Sequence, residues 1–178
     1  MNSTKNMDML RRKLLILCSA LLPLLALGDP IPAGKLAPQI DLPNIPRNSG
    51  NTSLASLRGQ IVYVDFWASW CGPCRVSFPI LNDIRNELHS QGFEVLAVNV
   101  DEFEDDALNF LAELPVDYLV VRDPVGTSPA SFGVLGMPTG FLLDREGRIR
   151  EVHQGFRKSD AAHLRESISA LLDETASE

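Results

Sequence analysis

Two cysteines stand with two residues between them in the stretch YVDFWASWCGPCRVSFP, Tyr63 to Pro79, and the third, Cys18, lies in a hydrophobic N-terminus. Cys71 and Cys74 could be a structural clip, half of a metal site or a redox reagent. A cross-link stabilises a fold roughly with the logarithm of the loop it closes, so a ring of four residues is a weak clip. Zinc needs four ligands, usually two such cysteine pairs or one pair with two histidines. The three histidines, His89, His153 and His163, are scattered without finger-like spacing and read as surface or core-edge residues, so no metal site is expected. The remaining chemistry is a reversible dithiol/disulfide switch, which needs no cofactor.

The elements around the pair must position it. Ile61 to Trp67 (IVYVDFW) is a β-branched and aromatic run that predicts a buried strand. Pro73 suits the first turn of a helix, and Val76, Ile80, Leu81, Ile84 and Leu88 then recur at helical spacing, with Pro79 expected to kink the helix. Cys71 would therefore sit where the strand gives way to the helix. There, unpaired backbone N–H groups and the positive end of the helix dipole favour thiolate over thiol. Cys74, three positions on, falls on the same face and can attack a mixed disulfide formed at Cys71. Gly72 and Pro73 keep the turn tight and leave an apolar, accessible approach to the first sulfur.

Further along, Phe93 to Val100 predicts a second strand, and an acidic opening (Glu102 to Asp106) leads into a helix over Ala107 to Leu114. Tyr118 to Val121 predicts a short strand and Ser128 to Phe132 a brief helix. Thr139 to Asp144 and Arg148 to His153 predict a hairpin, and a closing helix spans about Ser159 to Leu172 with Ser159 as N-cap. Gly28 to Gly50, rich in Pro and Asn, reads as lead-in and loop. Strands alternating with helices and ending in a hairpin imply an α/β architecture with a mixed sheet.

A chain of 178 residues, 45% hydrophobic, suffices for one domain with a sizeable core. The first 28 residues are set apart by basic Arg11, Arg12 and Lys13, an apolar run from Leu14 to Leu27 and a small-residue exit at Ala26-Leu27-Gly28. This pattern predicts a secretory signal, with residues 29–178 as the folded domain. The alternative is an uncleaved membrane anchor, but residues 14–27 as a helix would cover only about 21 Å of a bilayer core of about 30 Å. Cys18 follows the bulky Leu17, which argues against a lipidated cysteine. Without Lys5, Arg11, Arg12, Lys13 and Asp8, the 16 basic and 23 acidic residues of the chain become 12 and 22, a net charge of −10. Such a surface repels nucleic acid and anionic lipid.

The segment VDFWASWCGPCR resembles the active-site segment of the thioredoxins, and GMPTGFLLDREGRI resembles the segment that holds their cis-proline. With its exported start and its insert between Glu102 and Phe132, the chain is most similar to the TlpA-like thiol-disulfide oxidoreductases over roughly residues 36–172. The resemblance implies a thioredoxin-like α/β fold: a mixed central sheet flanked by helices, with an αβ insertion after the second core strand. It also makes Cys71 the attacking cysteine, Cys74 the resolving one and Pro138 a cis-proline facing them, with the Met137 backbone offered to an extended peptide. On base rates alone Pro138 would be an ordinary trans proline.

Asp65 is a carboxylate in the middle of an apolar strand, expensive unless paired, hydrated or protonated. It resembles the buried aspartate of thioredoxin, which implies a raised pKa and a proton exchanged with Cys74 through water. The alternative is that it caps a nearby loop. Two departures bear on this role: Ala97 stands where thioredoxins carry a lysine, and TlpA-like proteins usually place asparagine at the Asp65 position and glutamate at that of Ser77. Trp67 is expected in the core and Trp70 over the cysteines as a flat substrate contact, although core packing alone would explain either. The acidic run DEFEDD reads as a solvated face.

These expectations describe a periplasmic oxidoreductase acting on exported proteins with disulfides or cysteine pairs, apocytochrome c among them. A membrane electron donor would re-reduce it, and the N-terminus would be a cleaved signal or a tether. A peptide-binding assembly factor without turnover and an oxidant of exported thiols are the alternatives.

Overall fold

In the computed structural model, residues 31–46 and 49–174 are described. The predicted signal segment and Cys18 lie outside them. The chain runs β1 (Asp41–Pro43), β2 (Asn51–Ser53), a 3-10 turn (Leu54–Leu57), β3 (Ile61–Trp67), α1 (Cys74–Leu88), β4 (Phe93–Asn99), α2 (Glu104–Glu113), β5 (Leu119–Arg122), α3 (Thr127–Phe132), β6 (Thr139–Leu143), β7 (Ile149–Gln154) and α4 (Asp160–Asp173). β3 has the predicted bounds, and the other core elements fall within a few residues of theirs.

The main sheet has five strands in the order β5-β4-β3-β6-β7. β3, β4 and β5 pair in parallel, whereas β6 pairs antiparallel with both β3 and β7. This is the mixed, helix-flanked sheet of the thioredoxin-like fold. α2 and β5 form the expected αβ insertion after β4, adding a parallel edge strand. β3, fully buried, is the central strand.

Alternation along β3 divides its side chains between two cores. Ile61, Tyr63 and Trp67 join a cluster with Phe78 and Ile84 of α1, Phe110 of α2 and Leu164 and Ile168 of α4. Val62, Val64 and Phe66 face the other way, toward Phe132 of α3 and Ile40, Leu54 and Leu57 of the N-terminal segment. In the first core Trp67, Phe78 and Phe110 lie mutually in contact, with ring centroids 4.6 to 4.9 Å apart. Each such buried ring contributes about 2–3 kcal/mol relative to an exposed one.

Two local expectations change. The stretch read as loop contains β1, paired antiparallel with β2, and Asn44 bridges to Val121 at the edge of the main sheet. Strands of three residues with a proline leave too short a pattern for periodicity to register. Ser159 does hold the position before α4, but its hydroxyl donates to Asp160 Oδ1 rather than capping the helix. The free backbone N–H of Arg157 is met by Asp160 Oδ2 at 2.8 Å.

Candidate active site

β3 ends at Trp67, and the chain then crosses Ala68–Ser69–Trp70 to Cys71 and enters α1 at Cys74. Cys71 and Cys74 form a disulfide with a Cα–Cα separation of 5.3 Å. The Cys74 N–H donates to Cys71 Sγ at 3.2 Å, so the first sulfur already accepts a backbone donor at the helix mouth. The expected accessibility needs correction: Cys71 is 3% exposed and Cys74 fully buried, both inside the first core cluster. Gly72 and Pro73 are exposed, and Trp70, 73% exposed, stands out of the surface rather than covering the pair. Trp67 is wholly buried, as expected.

The loop between β3 and Cys71 is held by residues that no sequence signal singled out. Asp101, just past β4, accepts the Ser69 N–H with both carboxylate oxygens, at 3.2 and 3.0 Å, and accepts the Ser69 hydroxyl at 3.1 Å. Asn99 Nδ2 donates to the same carboxylate at 2.7 Å, and Arg122 donates to the Asp101 and Glu102 carbonyls. Asn99 closes β4 and Asp101 follows it, two polar residues after the apolar Val95–Val98, the one hint available beforehand.

Met137–Pro138 is cis, in agreement with the resemblance. The pairing of Phe66 with Thr139 carries Pro138 to the level of Trp67, where the cysteine loop departs. Met137 packs against the cluster containing both cysteines, and Met137 and Pro138 line a cavity of about 300 Å³ with Leu135, Thr139 and Gln154.

Asp65 shares the β3 face of Tyr63 and Trp67 and is 1% exposed. It pairs across the sheet with Ala97 on one side and Gly140 on the other, neither of which offers a side-chain donor. Its Oδ2 is buried without a hydrogen-bond partner among the described residues. Burial pushes its pKa up to about 8, so at neutral pH the carboxyl is mostly protonated in the disulfide form. Tyr118 was not anticipated: its buried hydroxyl also lacks a partner among the described residues, and its pKa is raised by burial and by the charge of Asp65. Ser77 is buried and donates its hydroxyl to the Cys74 carbonyl at 3.2 Å.

The histidines divide differently from the expectation. His89 remains apart beside Glu94, but His153 and His163 come together on Glu151, whose Oε1 lies 2.6 and 2.7 Å from their Nε2 atoms. The reading of these two as scattered is therefore corrected: positions ten apart on β7 and α4 share one carboxylate.

Comparisons with known proteins place this disulfide-bearing fold in a family. A family model described as Redoxin matches residues 27–168. The chain belongs to the Redoxin family. Thiol-disulfide oxidoreductase ResA of Bacillus subtilis is 32% identical over 163 residues, covering 86% of this chain and 91% of that protein. Thiol:disulfide interchange protein HelX of Rhodobacter capsulatus is 37% identical over 118 residues, covering 66% of this chain and 65% of its own. Among solved structures, that of a protein named thiol:disulfide interchange protein DsbE from Chlorobium tepidum superposes with a TM-score of 0.76 at 44% identity, covering 80% of this chain and 99% of that one. The chain is thus a thioredoxin-like thiol-disulfide oxidoreductase of TlpA-like type.

Proposed function

We propose that this Redoxin-family protein reduces disulfides in proteins exported to the bacterial cell envelope. The observation that carries the reading is the Cys71–Cys74 pair at the mouth of α1, with Cys71 Sγ accepting a backbone N–H; it is supported by buried Asp65, whose Oδ2 has no partner among the described residues, on the β3 face that packs against the cysteine cluster. In the dithiol form, the Cys71 thiolate attacks a substrate disulfide and joins one sulfur, while the other leaves with the electron pair and takes up a proton. Cys74 then gives its proton to ionised Asp65, through water, and its thiolate attacks Cys71 Sγ. The second substrate thiol departs, and two electrons have passed from the protein to its substrate. Read backwards, the protonated Asp65 of the disulfide form supplies the proton that Cys74 needs when a donor thiolate opens the bond. Exposed Trp70, Gly72 and Pro73, with half-buried Met137 and buried Pro138 beneath them, form the surface that receives the substrate peptide.

Export at residues 1–28, by cleaved signal or retained tether, places the domain of residues 29–178 in the periplasm. A membrane electron donor recharges the pair there. Cysteine pairs of apocytochrome c are one substrate class consistent with the TlpA-like resemblance. Among the described residues no helix is long and apolar enough to cross a membrane.

Insulin reduction driven by a small dithiol tests turnover. Cys71→Ser is expected to abolish it, and undiminished reduction by that variant would overturn the reading. Equilibration with glutathione tests direction: a potential more negative than the poise of the compartment marks a reductant, and a more positive one marks an oxidant.

A further inference from the structure

Outside the cysteine site, the most concentrated group of metal-competent side chains lies where β7 meets α4. Glu151 and His153 are two apart on β7 and so share a face, and His163 reaches them from α4. One ligand atom from each of the three lies within 4.8 Å of the others, and Glu151 Oε1 is 2.6 and 2.7 Å from His153 Nε2 and His163 Nε2. Two imidazoles and a carboxylate are the donor set of many zinc sites with three protein ligands, whose bonds are about 2.0–2.2 Å long. Harder cations such as magnesium and calcium prefer oxygen alone.

Two further features fit a ligand rather than a surface ion pair. His153 is anchored from behind, because its Nδ1 lies 3.2 Å from the hydroxyl of Tyr63, a core residue 1% exposed. That hydroxyl occupies space that only glycine at position 140 leaves: a Cβ there would collide with the Tyr63 hydroxyl. A partner on the second imidazole nitrogen fixes ring orientation and tautomer, as outer-shell groups of metal-bound histidines do. The cluster also opens onto a cavity of about 320 Å³ lined by His153, His163, Phe156, Ser159 and Asp160, which leaves room for a fourth ligand.

We propose that Glu151, His153 and His163 form a binding site for a divalent ion of the zinc class, with Tyr63 as the positioning residue of His153. On binding, each Nε2 presents its lone pair to the ion, and the proton it directed at Glu151 resides on Nδ1. The Tyr63 oxygen accepts that proton's hydrogen bond from His153. The move is a change of tautomer within each neutral ring, with no electron transferred.

The test uses the untagged full chain carrying Cys18→Ser and held in the disulfide form, so that no thiol competes for metal. Zinc is titrated against a chromophoric chelator. One equivalent is expected to bind with a Kd of about 10 μM or tighter. His153→Gln and His163→Gln should each weaken binding about tenfold or more, and Tyr63→Phe should weaken it severalfold, while circular dichroism shows each variant folded. His89→Gln, remote from the cluster, should leave binding unchanged. No binding at about 100 μM free zinc overturns the proposal. So does binding that survives His153→Gln/His163→Gln, which assigns the ion to the acidic surface, or binding sensitive to only one of the two histidines.

Discussion

Asp65 and Asp123 are both buried aspartates of the same sheet region, 1% and 3% exposed, yet they are treated in opposite ways. Asp123 closes the turn after β5. It accepts the Ser128 N–H and hydroxyl, each at 2.6 Å, and the Gly126 N–H at 3.0 Å. Burial alone would raise its pKa, but those donors more than offset it and hold the carboxyl below its usual value. Asp65 has no such donors at Oδ2, and burial raises it to about 8. Folding readily supplies a buried carboxylate with partners when the role is structural, as at Asp123. A buried carboxyl left without them, on the strand face that packs against the cluster holding the disulfide, fits the proton exchange proposed for it.

The largest expected effect tests that contrast through pH. The folded-state pKa of Asp65 lies above its unfolded value, so its stabilising contribution is full below about pH 4 and is lost as pH rises toward about 8. The slope should approach about 1.4 kcal/mol per pH unit, or on the order of 5 kcal/mol across the window. Asp65→Asn removes the ionisation, so denaturant unfolding of the disulfide form should show that much less loss of stability between pH 4 and 8. Parallel pH profiles for the variant and the natural chain would mean that Asp65 ionises freely in the fold.

Next in size is the kinetic effect of the same substitution. Proton transfer by a positioned group typically contributes on the order of 100-fold or more. Asp65→Asn should therefore slow resolution of a trapped mixed disulfide about 100-fold and change its formation by less than about threefold. Equal slowing of both steps, followed by quenched-flow alkylation, would remove the proton-exchange role.

Asp65 was legible in the sequence because a charge inside an apolar run has no local explanation. The strand around it was legible too, since the six β-branched and aromatic residues that flank Asp65 in β3 admit few alternatives. The site's other supports were not. Asp101 reaches Ser69 across 32 positions, and Tyr118 enters the cysteine core from the insertion, distances that a linear pattern does not encode. Glu151, His153 and His163 illustrate the same limit, because spacing locates ligands only within one element and here two elements supply them. β1 and β2 were missed for want of length, and α2 begins at Glu104 rather than Ala107 because its acids form the first helical turn instead of preceding it.

Asp123 provides the opposite arm of the comparison. Its carboxylate contributes stability above the unfolded pKa, a contribution lost only as pH falls below about 4. Asp123→Asn cannot accept the Ser128 and Gly126 donors with the same charge, and should lower stability at pH 7 by about 1–3 kcal/mol. Thermal or denaturant unfolding measures it. A stabilising Asp123→Asn would erase the distinction between the two aspartates.

The smallest effect belongs to a carboxylate that is paired but exposed. Glu113 meets Arg75 at 2.7 Å, the side chains being 63% and 46% exposed, one residue beyond Cys74. Water already solvates both charges well, so the pair is worth roughly 0–1 kcal/mol and weakens with salt. Arg75 also lies 4.8 Å from the centroid of Phe110, a cation–π contact independent of Glu113. Glu113→Gln should therefore change stability by less than about 0.5 kcal/mol, and Arg75→Ala by about 1 kcal/mol. If Glu113→Gln were as damaging as Asp123→Asn, pairing alone would govern these carboxylates. The expected inequality instead assigns the control to burial, the property that distinguishes Asp65 and Asp123 from Glu113 and makes the missing partner at Asp65 consequential.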